Sequence, residues 1–104
     1  MGAKAGVGEL EIQFAILELM KDRRVWSNAD LKHQLVTALP WTDADRQRSP
    51  SRPAEWVWEN RVNNALGQSE KRSASLYAKG HVENCGHGLH RITERGFKFI
   101  ADDW

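Results

Sequence analysis

The sequence predicts a mainly α-helical domain that ends in a small β-hairpin, and two patterns predict it. Apolar residues recur at the spacing of a helix in three stretches of the chain. These stretches lie within residues 9–22, 27–39 and 55–66. Two β-prone stretches, 81–84 and 89–93, come later, and Cys85-Gly86-His87-Gly88 between them supplies glycines for a tight turn. A chain of 104 residues is long enough for one hydrophobic core and too short for two, so we expect a single domain over residues 9–104.

The first two predicted helices have clear apolar faces. The face of the first helix is formed by Leu10, Ile12, Phe14, Ile16, Leu17, Leu19 and Met20. After a short β-prone link at residues 23–26, Ser27 with Asp30 three residues on predicts a capped start for the second helix. The apolar side of that helix is formed by Leu31, Leu35, Val36 and Leu39. Pro40 ends it.

A long irregular stretch follows over residues 41–55, because Pro50 and Pro53 forbid a continuous helix and Thr42 suits the cap of a single turn. Its arginines are Arg46, Arg48 and Arg52. Arginines among serines and prolines suit a segment that lies along a phosphate backbone, and a solvated loop is the alternative.

The third predicted helix carries two different faces. Its apolar stripe, which we expect to be buried, is formed by Trp58, Val62, Ala65 and Leu66. Its opposite stripe holds Trp56, Asn60, Asn63 and Asn64, with Arg61 beside it. These side chains can hydrogen-bond to base edges or phosphates, although an asparagine can also cap or brace a neighbouring loop. We expect a break near Gly67, after which Ser69 caps a further helix over residues 69–80.

The charge is nearly balanced overall but unevenly distributed. The formal net charge is +1, with five basic and seven acidic residues up to residue 45 and ten basic and seven acidic residues beyond it. A basic face on a nearly neutral protein follows from this distribution. We expect Arg52, Arg61, Lys71 and Arg72 to contact phosphates, the alternative being a solvated face with ion pairs.

The order of elements, helices followed by a glycine-tipped hairpin, is that of a winged helix-turn-helix. Two motifs then indicate a family. They are Trp58-Glu59-Asn60-Arg61-Val62 and Arg91-Ile92-Thr93-Glu94-Arg95-Gly96. In this order they resemble the N-terminal winged-helix domain of Mrr-type restriction proteins and the winged-helix modules of modification-dependent restriction endonucleases. Residues 67–73 extend the chain beyond the single helix usual in that family. Either the helix around residues 60–64 or that of residues 69–80 is therefore expected to enter the major groove.

The resemblance implies a non-catalytic module that binds double-stranded DNA and recognises methylated adenine for a restriction system. The residues predicted to contact DNA are Trp41, Arg46, Arg48, Arg52, Trp56, Asn60, Arg61, Asn63, Asn64, Ser69, Lys71, Arg72 and His87. A regulator that recognises unmodified DNA and a winged helix that binds other proteins are the alternatives.

The aromatic residues and histidines divide between core and site. We assign Trp58 to the core and Trp26 to the small sheet, which leaves Trp41 and Trp56 to contact the methyl group of a modified base. The four candidate metal ligands of the hairpin region, His81, Cys85, His87 and His90, follow no standard zinc spacing, so we expect no metal site. His87 at the hairpin tip is expected to contact DNA.

Several function classes are not expected. The chain shows no motif of a known catalytic site, so we predict no catalytic residue, no enzyme activity and no cofactor, with any nuclease activity in a separate domain, fused or associated. Residues 1–8 are expected to form a flexible leader, not a secretory signal. With Cys85 as the single cysteine, this predicts a cytoplasmic protein. No apolar run approaches the about 20 residues that span a bilayer, so no membrane partner is expected.

Overall fold

The computed structural model describes residues 8–48, 55–67 and 75–102. Within these ranges the elements in chain order are α1 (Glu9–Leu19) with a 3-10 turn (Met20–Asp22), β1 (Trp26–Ser27), α2 (Asn28–Ala38), α3 (Val57–Leu66), β2 (Val82–Gly86), β3 (Leu89–Ile92) and α4 (Glu94–Asp102). The described part of the chain is thus a small α/β domain with four helices and a three-stranded antiparallel sheet. The predicted combination of helices with a hairpin is confirmed at this level. No helix in the described ranges is both long enough and apolar enough to cross a bilayer.

The sheet joins the predicted hairpin to the link after α1. The strand order is β1-β3-β2, with Val82 opposite Ile92 and Trp26 opposite His90. Trp26 is 8% exposed, which confirms its assignment to the small sheet. The β2–β3 register shifts between Asn84 and Gly86, so the hairpin contains an irregularity before its tip.

Helix α1 lies at the centre of the core and packs against α2, α3 and α4. Ile12, Ile16 and Leu17 of α1 are fully buried. Leu10, predicted to share this face, is 60% exposed, although at 100° per residue it lies only about 20° around the helix from the fully buried Leu17. It stands in the first turn of α1. Val36 of α2, also predicted to face the core, is 38% exposed.

The ends of α2 and α3 follow the sequence signals. Ser27 caps α2 by accepting a hydrogen bond from the N–H of Asp30 at 3.0 Å. The predicted apolar stripe of α3, Trp58, Val62, Ala65 and Leu66, is buried. Gly67 then ends the helix with a left-handed φ of 69°. A Cβ on Gly67 would lie 2.2 Å from the Cβ of Ser75, so glycine is required there both by conformation and by contact.

The helix predicted over residues 69–80 is wrong where it is described, because residues 75–80 form turns. The N–H groups of Leu76 and Tyr77 donate to the carbonyls of Ala65 and Leu66 at 2.9 and 3.0 Å. These bonds use the carbonyls that the last turn of α3 would otherwise leave without partners. Leu76 and Tyr77 therefore bond to the end of α3 instead of forming the local hydrogen bonds of a new helix.

Helix α4 returns to α1. The ring of Phe99 stacks on that of Phe14, with centroids 5.7 Å apart. At the start of α4, the Thr93 hydroxyl accepts a hydrogen bond from the N–H of Gly96 at 3.1 Å and donates to the Gly80 carbonyl at 2.6 Å. Thr93 thus fixes α4 to the turn that precedes β2.

Candidate nucleic-acid interface

The loop after α2 closes onto the beginning of α3. The N–H groups of Val57 and Trp58 donate to the carbonyls of Gln47 and Asp45, both at 2.8 Å, and the N–H of Trp56 donates to the Glu59 carboxylate at 3.0 Å. The first N–H groups of a helix are otherwise available to bind an anion. Here the N–H groups of Trp56, Val57 and Trp58 have protein partners, so they are not available to an anion.

A buried ion pair fixes the same loop to the middle of α3. The Asp45 carboxylate, which is fully buried, lies 3.0 Å from the Nε of Arg61. It also accepts hydrogen bonds from the N–H and the hydroxyl of Thr42, both at 3.1 Å. The Thr42 hydroxyl in turn accepts from the N–H of Asp45 at 3.3 Å, which confirms Thr42 as the cap of a turn. Arg61 was predicted to contact phosphate, and the structure places it in this ion pair with its side chain 38% exposed.

An aromatic and cationic cluster lies beside this junction. The guanidinium of Arg48 lies 4.0 Å from the centre of the Trp56 ring, and an antiparallel bridge joins the two residues. Trp56 is 37% exposed and Arg46 is exposed. The sequence predicted DNA contacts for these three residues separately, and the fold brings them together at one end of α3.

The cluster borders a groove of about 310 Å³, which we call the tryptophan groove. It is lined by Val36, Trp41, Arg46, Trp56 and Trp58. Trp41 was predicted to be available for base contact, but it is 5% exposed, its Nε1–H donates to the Leu35 carbonyl at 2.8 Å and its ring packs 5.4 Å from that of Trp58. Most of Trp41 and Trp58 thus belongs to the core, and only their remaining surface lines the groove. Val36 was missed as a site residue because its helical spacing predicted a core position.

The asparagines occupy the more polar face of α3. Asn60, Asn63 and Asn64 are each half-buried. In the described part of the chain, no hydrogen bond is seen from the side-chain amides of Asn63 and Asn64, so both amides retain their hydrogen-bonding capacity. Asn64 follows Trp56 by eight residues, which places the two about 12 Å apart along one face of the helix.

The remaining predicted contacts fall elsewhere. Arg52, Ser69, Lys71 and Arg72 lie outside the described residues. His87 is exposed in the turn between β2 and β3, as expected for a hairpin tip. No three His, Cys, Asp or Glu residues in the described ranges are grouped as a metal site would require.

The two motifs that carry the family resemblance have structural roles here. In the first, Glu59 accepts from the N–H of Trp56, Arg61 pairs with Asp45, and Val62 is fully buried. In the second, Thr93 bonds Gly80 and Gly96, and a Cβ on Gly96 would lie 2.2 Å from the His81 carbonyl oxygen. These motifs therefore specify the fold around α3 and α4.

A buried hydrogen-bond network ties the hairpin to α2. His90 is 1% exposed, with Nδ1 2.5 Å from the Tyr77 hydroxyl and Nε2 2.6 Å from the Asn28 Oδ1. Burial raises the pKa of Tyr77 to about 12, so its hydroxyl keeps its proton and donates to a neutral imidazole. Burial lowers the pKa of His90, and burial, Lys79 and Arg95 together lower the pKa of His81. These shifts favour the neutral form of both histidines.

Comparisons of the chain with known protein families, with curated proteins and with solved structures find no match.

Proposed function

We propose that this chain is a non-catalytic winged-helix module that binds double-stranded DNA through α3. The order helix, strand, two helices and a hairpin supports the winged helix-turn-helix form of the domain. In such a domain the hairpin is the wing and α3 is the helix that enters the major groove.

One observation carries the proposal, namely the side-chain amides of Asn63 and Asn64 on the half-buried polar face of α3. A carboxamide can bond to the N6 and N7 of adenine at once, which makes asparagine the side chain suited to that base. An α-helix with its side chains is about 10–12 Å across and the major groove is about 12 Å wide, so α3 fits in it.

Side chains that can donate hydrogen bonds to phosphates lie where phosphates would flank such a helix. Arg46 and Arg48 lie at the beginning of α3, and His87 lies at the tip of the hairpin. Phosphate contacts fix the orientation of a protein on DNA, whereas base contacts give specificity. We therefore assign orientation to Arg46, Arg48 and His87, and base recognition to Asn63 and Asn64.

The specific ligand that we propose is duplex DNA with adenine methylated on its exocyclic amine, recognised on behalf of a restriction system. Two features support it, the family resemblance of the two motifs and the exposed apolar surface of Trp56, at the end of α3 opposite Asn63 and Asn64. A methyl group on a base is recognised by apolar contact, which an indole provides.

A binding titration by fluorescence anisotropy tests this function. Methylated and unmodified duplexes with random flanks are compared at about 50 mM and about 200 mM salt, because phosphate contacts make affinity fall with salt. We expect binding at low salt that weakens at high salt and is tighter for the methylated duplex. Absence of binding at low salt would exclude the DNA-binding function, and equal affinity for the two duplexes would exclude methyladenine recognition alone.

A further inference from the structure

We propose that the tryptophan groove holds a single nucleobase that has left the base stack, so that the protein binds DNA containing an unpaired base more tightly than fully paired DNA. The inference rests on the proposed function in taking DNA to be the ligand. It adds a second binding site at the opposite end of α3 from Asn63 and Asn64.

The composition of the groove is that of a base-stacking site. Aromatic and aliphatic surface comes from Val36, Trp41, Trp56 and Trp58. Flat aromatic side chains stack on any base, because every base has a π face. The groove volume of about 310 Å³ lies at the lower end of the about 300–1,000 Å³ typical of small-ligand sites, which suits one base.

Two exposed apolar side chains in the groove are otherwise unexplained. Val36 is 38% exposed and Trp56 is 37% exposed, although Val36 lies beside the buried Leu35 on α2. Together they form the accessible apolar surface of a groove whose other tryptophans, Trp41 and Trp58, are 5% and 9% exposed. A base inserted between Val36 and Trp56 would cover both.

Charge distinguishes a nucleotide from an apolar peptide as the occupant. Arg46 lines the groove and Arg48 lies over the Trp56 ring at 4.0 Å. A stacked base carries phosphates on either side of it, and these would meet the two guanidinium groups. An apolar peptide segment would leave the guanidinium of Arg46 facing an uncharged ligand, so the charge in the groove favours a DNA strand.

The position of the groove agrees with a base displaced from a duplex held on α3. Trp56 and Asn64 lie about 12 Å apart on one helix face, which corresponds to about three to four base pairs at 3.4 Å each. A duplex contacted by the asparagines would therefore extend past the groove. A base at that distance can reach it when it is unpaired, and unpaired bases leave the stack at the lowest cost.

The experiment uses three probes of one sequence, a fully paired duplex, the same duplex with one bulged adenine, and the single strand. Affinities of the wild type are measured by fluorescence anisotropy at low salt. We expect the affinity for the bulged duplex to be roughly five-fold higher, or more, than that for the paired duplex, because one base stacks in the groove. The ratio of the two affinities is the readout, since it is insensitive to contacts that both duplexes share.

Two variants and one matched control assign the effect to the groove. Val36→Asp places a negative charge in the groove and should bring the ratio close to one, and Trp56→Ala should reduce it by the loss of stacking surface. Val25→Asp is the control, because Val25 is 47% exposed and does not line the groove, so its ratio should equal that of the wild type. All three positions are exposed, which favours retained folding, and circular dichroism checks it.

The outcomes separate this inference from the proposed function. A wild type that binds both duplexes equally, or a ratio unchanged by Val36→Asp, would overturn the base-binding groove and leave duplex binding in place. Binding to the single strand alone, lost in Val36→Asp, would support the groove and overturn duplex recognition. No binding to any probe would overturn both. Sedimentation tests a second copy of the chain as the occupant of the groove. A wild-type dimer that dissociates in Val36→Asp but not in Val25→Asp would overturn the assignment of the groove to DNA.

Discussion

The fully buried carboxylate of Asp45 lies 3.0 Å from the Nε of Arg61, so a charge in the loop after α2 is neutralised by a charge on α3. This ion pair, with the backbone bonds to Val57 and Trp58, holds the loop that carries Arg46 and Arg48 against the helix. In the proposed complex, the alignment of these cations with a DNA strand would therefore depend on this ion pair.

The first prediction concerns this ion pair. Arg61→Met, which keeps most of the side-chain volume, should lower the free energy of unfolding by about 3 kcal/mol, because it leaves a buried carboxylate without its cation. Urea denaturation measures it. Arg91→Met is the matched control, since the ion pair of Arg91 with Glu83 joins side chains that are 47% and 45% exposed, and its loss should cost less than about 1 kcal/mol.

Asp45→Asn combined with Arg61→Met tests the cause of that loss. Because the double variant has no unpaired buried charge, it should be more stable than Arg61→Met alone. Equal losses for Arg61→Met and Arg91→Met, or no recovery in the double variant, would contradict the structural role of the pair.

The second prediction concerns the close approach of α4 to the turn before β2. Gly96→Ala should lower the free energy of unfolding by about 2 kcal/mol, because the new methyl group would lie 2.2 Å from a backbone oxygen, that of His81. Helix propensity alone favours alanine over glycine by about 1 kcal/mol, so the two effects have opposite signs. Thermal or urea unfolding decides between them, with the exposed Lys98→Ala on the same helix as control. A stabilised Gly96→Ala would show that α4 does not approach the turn so closely.

The third prediction is a loss of stability in mild acid. The pKa values of His81 and His90 are lowered in the folded state from an ordinary value of 6.5, so the unfolded chain binds more protons as the pH falls through 6.5. Stability should therefore be complete above this pH and decrease below it. Urea denaturation at about pH 7.5 and about pH 5.5 measures the decrease, since both values lie above the usual range of carboxylates.

Substitution of the buried His90 shows whether this residue causes the loss of stability in mild acid. His90→Gln keeps one donor and one acceptor and cannot gain a proton in this range, so the decrease between the two pH values should be smaller. His33→Gln, at an exposed position of α2, should leave the decrease unchanged. A stability that is constant or rises toward pH 5.5 would mean that neither histidine is buried in its neutral form.

The fourth prediction concerns the proposed phosphate contacts. Arg46→Gln should reduce the slope of log affinity against log salt by about 0.9, the value for one phosphate contact on duplex DNA. Lys98→Gln, which removes an exposed cation from α4, should leave the slope unchanged. Equal slopes for the wild type and Arg46→Gln would show that Arg46 does not contact a phosphate.

Periodic and capping signals predicted α1, α2 and α3. The buried stripe of α3, the cap at Ser27 and the end of α3 at Gly67 all follow from residues within one or two turns of each other. Local spacing carries enough information for these features, since each depends on the geometry of a single helix.

Features that depend on distant parts of the chain were not predictable in this way. The pairing of Asp45 with Arg61 and the exposure of Val36 depend on how the loop and α2 pack in the folded domain. The turns of residues 75–80 replaced a predicted helix because Leu76 and Tyr77 bond the end of α3. Here tertiary hydrogen bonds outweigh local propensity.

Recognition of DNA bases by the asparagine face of α3 is tested most directly by one comparison of affinities. The wild type, the double variant Asn63→Ala/Asn64→Ala and the control Gln34→Ala, which removes an exposed carboxamide from α2, are titrated with the same duplex at low salt. Loss of base contacts by two asparagines predicts about ten-fold or greater weakening in the double variant and no change in the control. Unchanged affinity in a folded double variant, or a wild type that does not bind the duplex, would contradict DNA recognition by α3.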